Sequence, residues 1–212
     1  MPAISRRWLF AFPLALLGLA GCPDPAGEFD DFEARWRAAN PDAGTGGGLD
    51  AGPCTPPDLS ALSGQYVFAL SAVVQAQNPI VFLTNVTGSP AGLAFEFQPL
   101  SAADRRTPVG MPVTLGPFPV ASDGLLHAEL PPLVVAAEAN PVTNGEIEAR
   151  VVLDARICDV NGFYCGVVSG DVSRPIPLNL QGSTFAMERL PNGTPPPEPF
   201  INCARARAAP LG

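Results

Sequence analysis

Between Glu146 and Arg156 the chain alternates: Ile147, Ala149, Val151, Leu153 and Ala155 share one parity, and Glu146, Glu148, Arg150, Asp154 and Arg156 share the other. Successive side chains on a strand point to opposite faces, so this period of two specifies a strand with one dry and one wet face and is incompatible with a helix. Leu93, Phe95 and Phe97 alternate in the same way with Ala94, Glu96 and Gln98. Gly64 to Gln75 and Pro79 to Val86, parted by Ala76-Gln77-Asn78, are apolar runs of the kind that form buried strands. Turn signals punctuate the series at Ser122-Asp123-Gly124, Thr143-Asn144-Gly145, Asp159-Val160-Asn161-Gly162 and Gln181-Gly182-Ser183. With 26 prolines and 21 glycines in 212 residues a helical fold is disfavoured, while 47% hydrophobic content is ample for a core. These features predict an all-β, antiparallel barrel or sandwich of about eight strands between Gly64 and Leu190. The segment Arg106 to Val120, with prolines at 108, 112, 117 and 119, is expected to be an edge or irregular strand.

The N-terminus has a different character. Arg6 and Arg7 precede an uncharged run, Trp8 to Leu19, that is too short for a permanent membrane span. Leu19-Ala20-Gly21-Cys22 resembles the lipobox of bacterial lipoproteins. The resemblance implies that residues 1–21 are a signal peptide, cleaved before Cys22, and that Cys22 carries the lipid, palmitate among its acyl chains. Each buried methylene adds about 0.8 kcal/mol of membrane affinity, so two or three chains hold a protein on a bilayer. The implied address is the bacterial cell envelope, at the outer membrane or the periplasmic face of the inner membrane, and Pro23 and Asp24 occupy the positions that influence this sorting in such lipoproteins. The alternative is an ordinary secretory signal followed by an unrelated cysteine. A net charge of −8, with all 12 basic residues arginine, excludes attraction to nucleic acid by charge.

Residues 22–53 read as an anchor region. Phe29, Phe32 and Trp36 recur at helical spacing, acidic residues occupy the early turns, and Arg35 and Arg37 the late ones, which predicts a short amphipathic helix from Glu28 to Ala39. Its aromatic stripe either rests on the membrane or docks on the domain. Docking is preferred because a membrane-lying helix usually carries a basic polar face and this one is acidic. Asp42 to Pro53 reads as a glycine-rich tether. The domain proper is expected to span 54–203, and 204–212 to be a disordered tail.

With Cys22 lipidated, Cys54, Cys158, Cys165 and Cys203 remain, an even number suited to an oxidising compartment. If Asn161-Gly162 is a two-residue hairpin turn, Cys158 faces Cys165 across the ladder at a Cα separation of about 5.5 Å, within disulfide range. Cys54 then joins Cys203, closing a loop of about 150 residues. No pair has CxxC spacing and His127 is the single histidine, so neither a metal site nor a cofactor is expected.

The same register points Gly166, Val168 and Gly170 inward beside Val151, Leu153 and Ala155, giving an apolar interior. His127 shares its parity with Glu129 and is expected to face solvent. Gly166-Val167-Val168-Ser169-Gly170 is one residue out of register for a nucleophile elbow, and no clustered carboxylates occur, so an enzyme is not expected. Gly64-Gln65-Tyr66 opening the first strand and Arg189 closing the last resemble a lipocalin or broader calycin-type barrel, where a tryptophan stands in place of Tyr66 at the closed end beside a basic residue. That resemblance implies carriage of a small apolar molecule, lined by residues such as Leu93, Phe95, Phe97, Val151 and Leu153. The bottom-up reading puts first a lipid-anchored lipoprotein with a structural or interaction β-domain that meets an envelope protein partner, and second the lipocalin-like carrier of a small apolar ligand.

Overall fold

The alternating segment forms β7 (Ile147–Arg156), whose apolar parity is buried throughout. It is one of ten strands in a computed structural model that describes residues 53–191 and 193–211. The signal segment, Cys22, the amphipathic helix and all of the tether except Pro53 lie outside the described residues. The others are β1 (Gly64–Ser71), β2 (Ile80–Ser89), β3 (Gly92–Pro99), β4 (Val113–Phe118), β5 (Leu125–Glu129), β6 (Leu133–Val135), β8 (Phe163–Arg174), β9 (Leu178–Asn179) and β10 (Ser183–Arg189). The fold is all-β and antiparallel. Eight strands run in the order β4-β3-β2-β1-β10-β8-β7-β5, and the short β6 and β9 pair with β7 and β8. The sheet curls into a nearly closed barrel. Its ends meet through the Val120–Leu126 bridge and a bond from the Ala121 N–H to the Leu125 carbonyl.

The strand directions give the barrel two unlike ends. At one, β1 begins and β10 finishes; the turn Leu59–Leu62 covers it and the 119–124 and 157–162 loops surround it. Gly88 allows this cover to sit close, because a Cβ there would lie 1.7 Å from the Leu59 carbonyl oxygen. At the other end are the longer connections 72–79, 100–112, 130–146 and 175–182. The proline-rich segment behaves as an edge: β4 holds only six residues, and its pairing with β3 shifts between Leu93 and Phe95, where Gly116 has φ +96°.

Two expectations are corrected by the register and the tail. β7 and β8 pair through Ala155 and Gly166, so the ladder ends earlier than a two-residue turn at Asn161-Gly162 requires. Ile157 leaves the ladder to bond the Gly124 carbonyl and bury its side chain, and Asp159 caps the Asn161 N–H inside a longer loop. The inward parity of Gly166, Val168 and Gly170 survives because the shift is even. The disulfides change: Cys54 joins Cys158 (Cα–Cα 5.6 Å) and Cys165 joins Cys203 (5.2 Å), in place of Cys158–Cys165 and Cys54–Cys203. Cys165 projects from the outer face of β8, beside Phe163 and Ala186, where the C-terminal segment covers it. That segment is not a disordered tail. Ala208 is buried, its N–H bonds the Pro199 carbonyl, and the Ala209 N–H bonds the Gln77 carbonyl. Buried Arg105 holds it further, with Nη1 2.6 Å from Glu198 Oε2 and 2.8 Å from the Ala209 carbonyl.

Candidate ligand cavity

Four phenylalanines divide the barrel interior. Phe68, on β1, stacks on Phe185 of β10 at 5.3 Å between ring centroids and meets Phe97 of β3 edge-on at 5.1 Å. Phe82 of β2 meets Phe97 edge-on at 5.6 Å. Inward parity on strands that neighbour one another brings these rings together, and edge-to-face contact is a favoured aromatic arrangement. They plug the waist, and the two sides of the plug differ.

Toward the covered end the interior is full. Leu93, Phe95, Leu126, Ala155, Ile157 and Met187 enclose a gap of only about 10 Å³. Tyr66 is fully buried here and anchors the floor: its hydroxyl donates to the Leu62 carbonyl at 2.7 Å and accepts from Arg189 Nε and Nη2 at 3.1 and 2.8 Å. The Arg189 guanidinium also lies 5.3 Å from the Tyr66 ring centroid. Tyr164 stands 6.0 Å from Tyr66, and burial foremost, then the neighbouring Tyr66, pushes its phenol above the ordinary tyrosine value. Thr84, opposite both Tyr66 and Phe97 in the ladders, is fully buried, and among the described residues its hydroxyl has no hydrogen-bond partner.

Toward the other end lies a cavity of about 250 Å³, open to solvent between the long connections. Leu70, Ile80, Phe82, Ala149, Val151 and Val172 form its inner wall, and Val74, Val142 and Ile176 its rim. A smaller recess of about 30 Å³ at the waist adjoins it, sharing Leu70, Phe82 and Val151 and reaching Phe97 and Leu153. Of twenty lining residues three are polar, Asn78, Asn140 and Thr143, and none is charged. The volume is near the lower end of the roughly 300–1,000 Å³ usual for small-molecule sites, and the apolar lining is typical of them. The rim is unusual for a water-facing surface: Ile176 is 62% exposed, Val74 58% and Val142 43%. Internal hydrogen bonds hold its loops. Ser71 Oγ donates to the Ala76 carbonyl, Ser183 Oγ accepts from the Val73 N–H, and buried Asn140 ties residues 142, 143 and 145 together.

No known family, curated protein or solved structure matches this chain.

The five side chains expected to line a ligand site are thus spread along the barrel. Val151 reaches the cavity wall, Phe97 and Leu153 stand at the waist, and Leu93 and Phe95 pack the covered end. The wall residues Leu70, Ile80 and Val172 were not singled out from the sequence; they sit in apolar runs where parity says little about which end of a barrel is hollow. His127 faces outward as expected, its side chain 53% exposed, and does not line the cavity. Its Nδ1 is 2.6 Å from Asp154 Oδ1 across the β5–β7 ladder, and its Nε2 3.4 Å from Glu129 Oε1. The hydrogen bond with Asp154, then that with Glu129, raises its pKa above 6.5. This trio can hold a proton on an open convex surface. Among the described residues no group of His, Cys, Asp and Glu is arranged to hold a metal ion.

Proposed function

We propose that this protein is a lipid-anchored lipoprotein of the bacterial cell envelope, fastened through Cys22, whose barrel takes a small apolar ligand into its open end in the manner of a lipocalin-like carrier. The observation that carries the binding reading is the 250 Å³ apolar cavity, because a filled interior leaves no room for a guest and here only one side of the aromatic plug is filled. A solvent-open apolar wall of this kind gains little from water, and burying a guest there contributes about 25 cal/mol per Å² of apolar surface removed from solvent. The contact between Tyr66 and Arg189 at the covered end supports the likeness to the lipocalin arrangement. Two disulfides support residence in an oxidising compartment beyond the cytoplasm.

The binding reading is tested with N-phenylnaphthylamine, a neutral apolar fluorophore whose emission rises in a dry site. Saturable enhancement is expected with the native chain and is expected to vanish in Ala149→Leu, where added methyls project into the cavity. Equal enhancement in both proteins overturns the assignment of the site. The anchoring reading is tested in cells fed radiolabelled palmitate: label is expected in the native chain and absent in Cys22→Ala, and label retained by the variant contradicts it.

A further inference from the structure

The polar groups of the cavity define which ligand head it accepts. Asn140 has nothing to offer a guest: its amide N–H groups go to Thr143 Oγ1 and the Gly145 carbonyl, both at 2.7 Å, and its carbonyl accepts from the N–H groups of Val142 and Thr143. Thr143, having accepted one of these bonds, keeps a hydroxyl hydrogen to donate. Asn78 is half-buried in the lining, and among the described residues no hydrogen bond engages its side chain. Its amide therefore presents both donors and an acceptor. Asn78 stands on the β1–β2 connection and Thr143 on the β6–β7 connection, both at the open end, whereas the inner wall at Phe82 and Val151 is wholly apolar. Of the charged side chains near the lining residues along the chain, Arg174 pairs with Glu148 at 3.2 Å, Glu138 and Glu146 are acidic, and none of them lines the cavity.

Resting on the carrier reading above, we propose that the ligand is an uncharged single-chain amphiphile of the fatty-alcohol type, with its hydrocarbon tail against Val151 and Phe82 and its hydroxyl at Asn78. A hydroxyl exchanges its water for the Asn78 amide and stays hydrogen-bonded. A carboxylate brought to the same place loses water with no cation to replace it, and burying an unpaired charge is far more costly than burying a bonded hydroxyl. The modest cavity volume limits the guest to one chain, and the exposed rim at Val74, Val142 and Ile176 gives a longer chain apolar surface beyond the mouth.

The test is displacement of N-phenylnaphthylamine from the full chain at neutral pH by decanol and by sodium decanoate, each below its aggregation limit. Decanol is expected to compete at least about tenfold more strongly, the order of one unsatisfied polar group. Asn78→Arg supplies the missing cation at the mouth and is expected to reverse the order. Asn78→Ala is expected to weaken decanol by about threefold to tenfold while leaving decanoate unchanged. Decanoate matching or exceeding decanol on the native chain overturns the proposal. So does a ratio that neither Asn78 variant alters. If the fluorophore itself fails to bind, the carrier reading falls and this proposal with it; if it binds but the preference is absent, only the choice of ligand class falls.

Discussion

The two ends of the barrel are built from the same kinds of residue and behave oppositely. At the covered end, Leu93, Phe95 and Met187 meet with a gap of about 10 Å³, and Tyr66 is fixed by three hydrogen bonds to Leu62 and Arg189. The Cys54–Cys158 disulfide closes the periphery there. At the open end, Leu70, Ile80 and Val151 face about 250 Å³ of space, and exposed Val74, Val142 and Ile176 ring the entrance. The contrast lies inside the barrel: at the covered end the interior is densely packed and carries its own polar anchor, whereas at the open end the hydrogen bonds of Ser71, Ser183 and Asn140 stay in the loops and the inner wall is left facing space.

The comparison breaks first if the covered end proves dispensable. Tyr66→Ala removes a fully buried ring and two of the hydrogen bonds of Arg189, which keeps its bond to the Ala61 carbonyl, and should cost about 3–5 kcal/mol of unfolding free energy in urea. Tyr66→Phe keeps the ring and should cost about 1–3 kcal/mol, the deficit of unpaired buried partners. Between these two in size is the paired replacement of Cys54 and Cys158 by alanine. It opens a separation of 104 residues and should cost about 2–5 kcal/mol, roughly 1 kcal/mol more than removing Cys165 and Cys203, which are 38 apart. Non-reducing peptide mapping checks the premise, and recovery of Cys158 linked to Cys165 contradicts it.

At the open end the effects on stability should be small and those on binding large. Ile176→Ser is expected to change unfolding free energy by no more than about 0.5 kcal/mol, as at most surface positions, while weakening N-phenylnaphthylamine several-fold. The smallest effect belongs to His127, on the outer face and outside both regions. Its folded pKa is raised above 6.5, chiefly by Asp154, so its contribution is complete below the unfolded value and disappears as pH rises through the folded one. Titration of this single histidine by NMR should give a midpoint above 6.5 that falls in Asp154→Asn.

The sequence exposed parity more faithfully than position along the barrel. Strict alternation in β7 predicted its buried face, and the prolines of 106–120 predicted a frayed edge, because both are local backbone effects. The continuous run Val67, Phe68, Ala69, Leu70 signalled a strand covered on both sides, but not by what. On the outer face Val67 packs against Val81, Leu100 and Leu190, and the neighbouring β8 and β10 are covered by the C-terminal segment, which carries Phe200 and Cys203 onto Phe163, Cys165 and Ala186. That segment looks disordered in sequence because its proline- and arginine-rich composition lacks a period. Cysteine pairing failed because it depends on register, which Ile157 changes by leaving the ladder for Gly124. The cavity was least legible, since valine and leucine fill one end and line a space at the other.

The most direct test of the contrast between the ends is methyl-resolved NMR of the full chain titrated with decanol. Shift changes are expected at Leu70, Ile80, Val151 and Val172, with Leu93 and Leu126 unmoved. Changes centred on Leu93 and Leu126, or none at the cavity wall under saturating decanol, contradict the account.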